Sequence, residues 1–141
     1  MRHTAHSSSL TLAQTLGRFA AEFPSSELPS VALERAKMSL ASTFSSAAMG
    51  VSIDSARIVR DLECSLAPTG TSSVWFEVGH LPVDRAARVN ALASDAAASD
   101  DSDMRSIAHI GTIVSTTGVA MAEKLDSSGR ELLAAMVLGY E

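Results

Sequence analysis

Aromatic side chains are scarce in this chain of 141 residues, at 4% of the total with a single Trp and a single Tyr. An interior without aromatics has to be assembled from Ala, Leu, Val and Met, which suits closely packed helices better than a β-sandwich. Cysteine is nearly absent too. Cys64 stands alone, so no intrachain disulfide is available, and a cytoplasmic protein is the expectation. Basic runs are missing and the net charge is −5. Nucleic acid is bound by clustered cations that displace counterions, so it is not an expected partner. No apolar run approaches the roughly 18–20 residues that span a bilayer, and no membrane role is expected. The polar opening, residues 1–9, also lacks the apolar core of a secretory signal.

What is present is an apolar share of 46% against 19% charged residues, in a length typical of one domain. Residues 1–9, with His3 and His6, read as a disordered tail, and residues 10–141 as a helical domain. Leu12, Leu16, Phe19, Ala20 and Phe23 recur at helical spacing until Pro24 stops them. Ser30 is a candidate N-cap for a long helix running to Gly50. A third amphipathic segment spans residues 53–66, with Ile58, Val59, Leu62 and Leu66 on its apolar side and Cys64 expected in the core. Residues 74–78, Val-Trp-Phe-Glu-Val, are the one β-branched and aromatic run and predict a short strand or hairpin arm. An alanine-rich helix follows over residues 83–99, another over about 106–125, and a last one from Arg130 onward. That last helix carries Leu132, Leu133, Met136 and Val137 with no later segment to cover them, so the chain is expected to be incomplete at its C-terminus and to pack there against another chain.

Chemistry concentrates between the alanine-rich helix and the next one. Asp100, Asp101, Ser102, Asp103, Arg105 and His109 fall within ten positions. Carboxylates stay in water unless something pairs them, so this stretch is either a solvated loop or a site. His109 lies between Ile107 and Ile110, a setting that fits a hydrogen-bonded core histidine as well as an acid or base titrating near neutral pH. Asp101-x-Asp103 could open a calcium loop, but the twelfth position that would need a bidentate Glu is Gly111 or Thr112. No metal is therefore expected. Carboxylates here would also favour the positive end of the following helix. Arg105 can take a substrate carboxylate in bidentate fashion or neutralise Asp101 at helical spacing, and the second is preferred. His80 lacks a matched partner and reads as structural.

Three stretches together resemble the N-terminal part of the MmgE/PrpD family, which includes 2-methylcitrate dehydratase, cis-aconitate decarboxylase and iminodisuccinate epimerase. Leu33-Glu34-Arg35-Ala36-Lys37 with the helix to Gly50-Val51 is similar to the family's early long helix. Asn90-Ala91 leading to Asp100-Asp101-Ser102 resembles its Asn-Gly…Asp-Phe-Asp-Asp-Thr segment. Ser128-Gly129-Arg130-Glu131-Leu132-Leu133 through Gly139-Tyr140-Glu141 resembles its Gly-Arg-Asp-Leu-Leu…Gly-Tyr-Glu helix.

The resemblance implies a mainly α fold with at most a short β-hairpin. It also implies a lyase (dehydratase or decarboxylase) or an isomerase, working without a cofactor on a small di- or tricarboxylic acid. His109, Asp101 and Ser102 fall on its catalytic positions, while Asp100, Asp103 and Arg105 are candidates to bind substrate. The family's earlier aspartate falls on Ala98, so either Asp103 or Asp100 takes its role or the chemistry differs from that of the dehydratases. The family's catalytic lysines lie beyond the matching positions. The implied partners are a complementary polypeptide, as in a split enzyme, or further copies of this chain; a non-catalytic assembly or regulatory subunit of the same fold is the alternative.

Overall fold

The computed structural model describes residues 10–141, and among these it has six α-helices and one two-stranded hairpin. The fold is mainly α, as predicted. The reading of residues 1–9 as a tail lies outside the described residues.

Helix α1, Leu12–Glu22, begins at a capping box in which Thr11 and Gln14 satisfy each other's backbone N–H groups. Helix α2, Ser30–Gly50, follows a short 3-10 turn, Ser25–Glu27. Pro29, not Ser30, occupies its N-cap position, and Ser30 is the first helical residue. Helix α3 is Asp54–Leu66, α4 is Val83–Ala96, α5 is Ile110–Leu125 and α6 is Gly129–Tyr140. The last is opened by a second capping box, between Ser128 and Glu131.

The core lies where α2, α4 and α5 meet, and small residues make it. Ala36, Thr43, Ser46, Ala47 and Gly50 of α2 are buried, as are Ala86, Ala87, Ala93 and Ser94 of α4. Gly50 lies so close to α4 that a Cβ built there would sit 1.8 Å from the Ala93 carbonyl oxygen. Only glycine allows that approach. Buried hydroxyls are satisfied within the bundle. Thr116 donates to the Thr112 carbonyl (2.8 Å), and Thr43 donates to the Ser39 carbonyl (3.0 Å). Trp75 fills the space between Ala47, Ala56 and Ala93, with its ring 4.2 Å from that of Phe44.

The hairpin departs from expectation. Its strands are β1, Ser72–Ser73, and β2, His80–Leu81, and residues 74–79 connect them. Val74 and Trp75 are buried as plugs rather than strand residues, because the Asn90 side chain accepts from the Trp75 N–H (2.9 Å) and donates to the Ser73 carbonyl (2.9 Å). Phe76 then turns through a positive φ of 62°, which ends any extension.

Helix α3 presents a different face from the one predicted. Ala56 and Glu63 are buried, whereas Ile58, Leu62, Leu66 and Cys64 are exposed. The cause is an ion cluster: Arg85 and Arg88 of α4 both reach the Glu63 carboxylate. Two guanidiniums on one carboxylate rotate α3 so that Glu63 faces α4, and Cys64, one position on, is carried outward.

The α6 stripe is covered in part. Met136 is buried, Leu132, Leu133 and Val137 are half-buried, and α6 packs on α5 and α2. Earlier segments supply part of the cover for which the sequence showed no later one.

Candidate functional site

The acidic stretch is irregular up to residue 109, so α5 starts four positions later than predicted. An isolated bridge between Asp103 and Ala108, with the Asp103 N–H donating to the Ala108 carbonyl at 2.9 Å, folds the loop back on itself. Ile107 adopts a φ of 55°, where a β-branched residue is strained, and this prevents helix from propagating backward past it. His109 takes the N-cap position of α5, and its side chain makes no capping bond.

Asp100 and Asp101 are drawn in against the first turn of α5, where the helix dipole favours negative charge. Each ends a short chain of hydroxyls. The Thr112 hydroxyl donates to Asp100 Oδ2 at 2.6 Å and lies 3.2 Å from the Ser94 hydroxyl. Since Thr112 has one proton to give, Ser94 donates to Thr112. In the same way the Tyr140 hydroxyl donates to Asp101 Oδ2 at 2.7 Å, and Ser39 donates to the Tyr140 oxygen at 2.6 Å. Burial pushes the Tyr140 phenol up to about 12, and the neighbouring Asp101 carboxylate adds to the rise against the opposing bond from Ser39. Asp101 packs so tightly on the start of α5 that a Cβ at Gly111 would come within 2.2 Å of its Oδ1. The remaining oxygen of each aspartate, Oδ1, is buried without a hydrogen-bond partner.

His109 links this acidic pair to solvent. Its Nδ1 lies 3.1 Å from Asp100 Oδ2, within ion-pair range but not aligned as a hydrogen bond. The Asp100 side chain is 1% exposed and that of His109 44%. The outer part of the imidazole lines an open groove of about 500 Å³ together with Val59, Arg88, Leu92, Asp95 and Thr112. An apolar wall with one imidazole backed by a buried carboxylate can exchange a proton with a small molecule seated there. Asp95, Asp100 and His109 also offer donor atoms that all lie within 4.8 Å of one another, a spacing that could hold a metal ion.

The other predicted residues are not part of this arrangement. Ser102 is exposed and makes no side-chain hydrogen bond among the described residues. Asp103 accepts from Ser106 (2.9 Å) and from the Arg105 backbone and guanidinium (3.3 Å each), and these bonds hold its carboxyl below the usual range, the one from Ser106 most of all. The Arg105 side chain is 92% exposed and pairs with Asp103, not with Asp101 as expected from helical spacing. That spacing has no meaning in a loop that is not helical. Ala98 is exposed just past α4, at a φ of 50°.

Sequence reasoning missed Thr112, Tyr140, Ser39, Arg88 and Asp95. For Thr112 a signal existed, since it lies one turn after His109. Tyr140 and Ser39 reach the site from α6 and α2, and nothing local marks them.

The paired aspartates are tethered at the start of α5 beside a histidine that lines an open groove. The family model of the MmgE/PrpD N-terminal domain matches residues 14–141, and the chain belongs to that family. No curated protein and no solved structure matches it.

Proposed function

We propose that this chain is a subunit or part of a cofactor-independent enzyme of the MmgE/PrpD type, acting beside a carboxylate of a small di- or tricarboxylic acid. The observation that carries the reading is His109, half exposed on a groove and backed by a carboxylate that solvent does not reach. Dehydration, decarboxylation and epimerisation all move a proton at carbon, and a positioned acid/base typically contributes about 10²–10⁴-fold. His109 is the proton carrier in this reading. Asp100 orients it, and Asp101 with Tyr140 holds the loop in place. A complementary polypeptide or a second copy closes the open groove.

The test is turnover of a small panel of citrate-like and iminodicarboxylate substrates by the complete assembly. His109→Ala is expected to lose about 10²–10⁴-fold with helical content intact, whereas His80→Ala, on the exposed hairpin strand, leaves the rate unchanged. Full activity in His109→Ala would reduce the acidic pair to a helix-end device. The second reading, a non-catalytic assembly or regulatory subunit, is favoured by Ala98, which brings no carboxylate to the groove. Absence of turnover by the wild-type assembly across the panel would select it.

A further inference from the structure

The spacing of Asp100, Asp101 and Asp103 argues against a calcium loop, and among the described residues that triplet does not form a metal-sized cluster. A different trio does. Asp95 stands near the end of α4, Asp100 lies in the loop after it, and His109 is at the start of α5. One donor atom from each lies within 4.8 Å of the other two, and His109 Nδ1 is 3.1 Å from Asp100 Oδ2. Ligand atoms about 2.0–2.2 Å from a tetrahedral divalent ion stand roughly 3.3–3.5 Å apart, so the trio needs only a small inward movement. Asp95 is exposed and free to make it, with neither an ion pair nor a hydrogen bond from its side chain among the described residues.

A second observation, independent of the clustering, points to a ligand. The Asp100 side chain is 99% out of solvent, and its Oδ1 accepts no hydrogen bond. His109 Nδ1, facing the same carboxylate, is also buried and without a hydrogen bond. His109 Nδ1 lies beside Oδ2, which Thr112 already holds. Asp100 Oδ1 and His109 Nδ1 are therefore two buried polar atoms left without a hydrogen bond, and that is costly unless a cation binds the two side chains. Thr112 meanwhile holds the other oxygen of Asp100, backed by Ser94, which is how ligating carboxylates are commonly fixed.

We propose that Asp95, Asp100 and His109 form a binding site for one divalent transition-metal cation. One imidazole nitrogen with two carboxylates favours zinc or manganese over calcium or magnesium, which take oxygen ligands alone. The side toward the groove stays open to solvent. The inference stands apart from the proposed function, since an imidazole bound to a cation at Nδ1 and held there is no longer a free proton carrier. Cation binding and turnover therefore compete.

The experiment is zinc titration by calorimetry on the full chain carrying His3→Ala and His6→Ala, so that the histidines at its start cannot supply the signal. One zinc per chain is expected. His109→Gln and Asp100→Asn should each weaken binding by roughly tenfold or more, and Asp103→Asn should leave it unchanged. Cobalt absorption of the same parent protein gives a readout that needs no site variant: an intense visible band signals low-coordinate nitrogen and oxygen ligation. The proposal is overturned if zinc does not bind this parent, if cobalt gives only the pale spectrum of the hydrated ion, or if a folded His109→Gln binds as tightly as its parent. Zinc bound without any activity would leave the cation site standing while removing the enzyme reading, so the two fail separately.

Discussion

Tyr140 gives the site a direct spectroscopic handle, because it is the only tyrosine in the chain. Its phenol is held neutral by burial and by the Asp101 carboxylate, so its ionisation is expected with a midpoint at about 12. An unfolded tyrosine titrates near 10. Absorbance of tyrosinate during a pH titration reads this without interference from a second tyrosine. Asp101→Asn should move the midpoint downward but not back to the free value, since burial is the larger cause. A native-state midpoint near 10 would mean that the Ser39–Tyr140–Asp101 chain does not form. The sign for stability follows from linkage: the folded state keeps the proton longer, so the contribution is complete below pH 10 and is lost as pH rises from there through about 12. Tyr140→Phe should flatten that part of the alkaline unfolding curve relative to wild type.

At the same scale, the paired aspartates and His109 were legible because charged residues clustered in an alanine-rich sequence attract notice whatever the fold. Their partners were not. Ser39, Thr112 and Tyr140 come from three different helices, and a hydroxyl carries no signature of what it will touch. Arg105 was misassigned because helical spacing was applied to residues that the Asp103–Ala108 bridge keeps out of the helix.

Among the elements, helix ends were readable where the chain has local stop or start chemistry: Pro24 after α1, Gly50 at the end of α2, and Ser128 before α6. Which face of a helix turns inward was less so. Helix α3 has a strong apolar stripe, yet its inner face is decided by Arg85 and Arg88 reaching Glu63 from α4, an interaction across more than twenty positions. Replacing Glu63 by Gln should destabilise the fold by about 1–3 kcal/mol, as for a buried charged hydrogen-bond acceptor that is lost. Urea unfolding measures it, and a change within error of zero would show that α3 is held by something else. Glycines in α1 and α2 offer a paired test. Gly50→Ala places a Cβ 1.8 Å from the Ala93 carbonyl oxygen, which forces α2 and α4 apart, and should cost about 1–3 kcal/mol or more. At Gly17 an added Cβ meets nothing within 4 Å, so Gly17→Ala should stabilise α1 by about 0.5–1 kcal/mol. Equal effects at the two positions would contradict the close packing of α2 on α4.

For the whole molecule, apolar surface is exposed on α1 and α3 besides the α6 stripe to which the sequence draws attention. The α6 stripe packs against α5 and α2 with Met136 buried and Leu132, Leu133 and Val137 half-buried, while Leu12, Leu16 and Phe19 of α1 are 38–75% exposed and Ile58, Leu62 and Leu66 of α3 are 53–63% exposed. Both rows recur at three to four residues, so each forms a continuous stripe on its helix, of the kind that soluble monomers rarely leave open. The α3 helix also contributes Val59 to the groove that His109 lines. A partner seated on α3 would therefore stand beside the site, and closing the groove and covering the stripe would be one event. The expected outcome is self-association or capture of a complementary polypeptide through α3, read by sedimentation velocity over a range of concentrations. Ile58→Lys with Leu62→Lys should shift the chain toward monomer while the circular dichroism of the helices is unchanged, since neither side chain contributes to the core. The same double change made on α1, at Leu12 and Leu16, should have less effect on any ligand bound at His109, because α1 contributes no residue to that groove. A wild-type chain that stays monomeric at high concentration, and that binds no apolar dye, would leave the α3 stripe without a partner and the groove open by design.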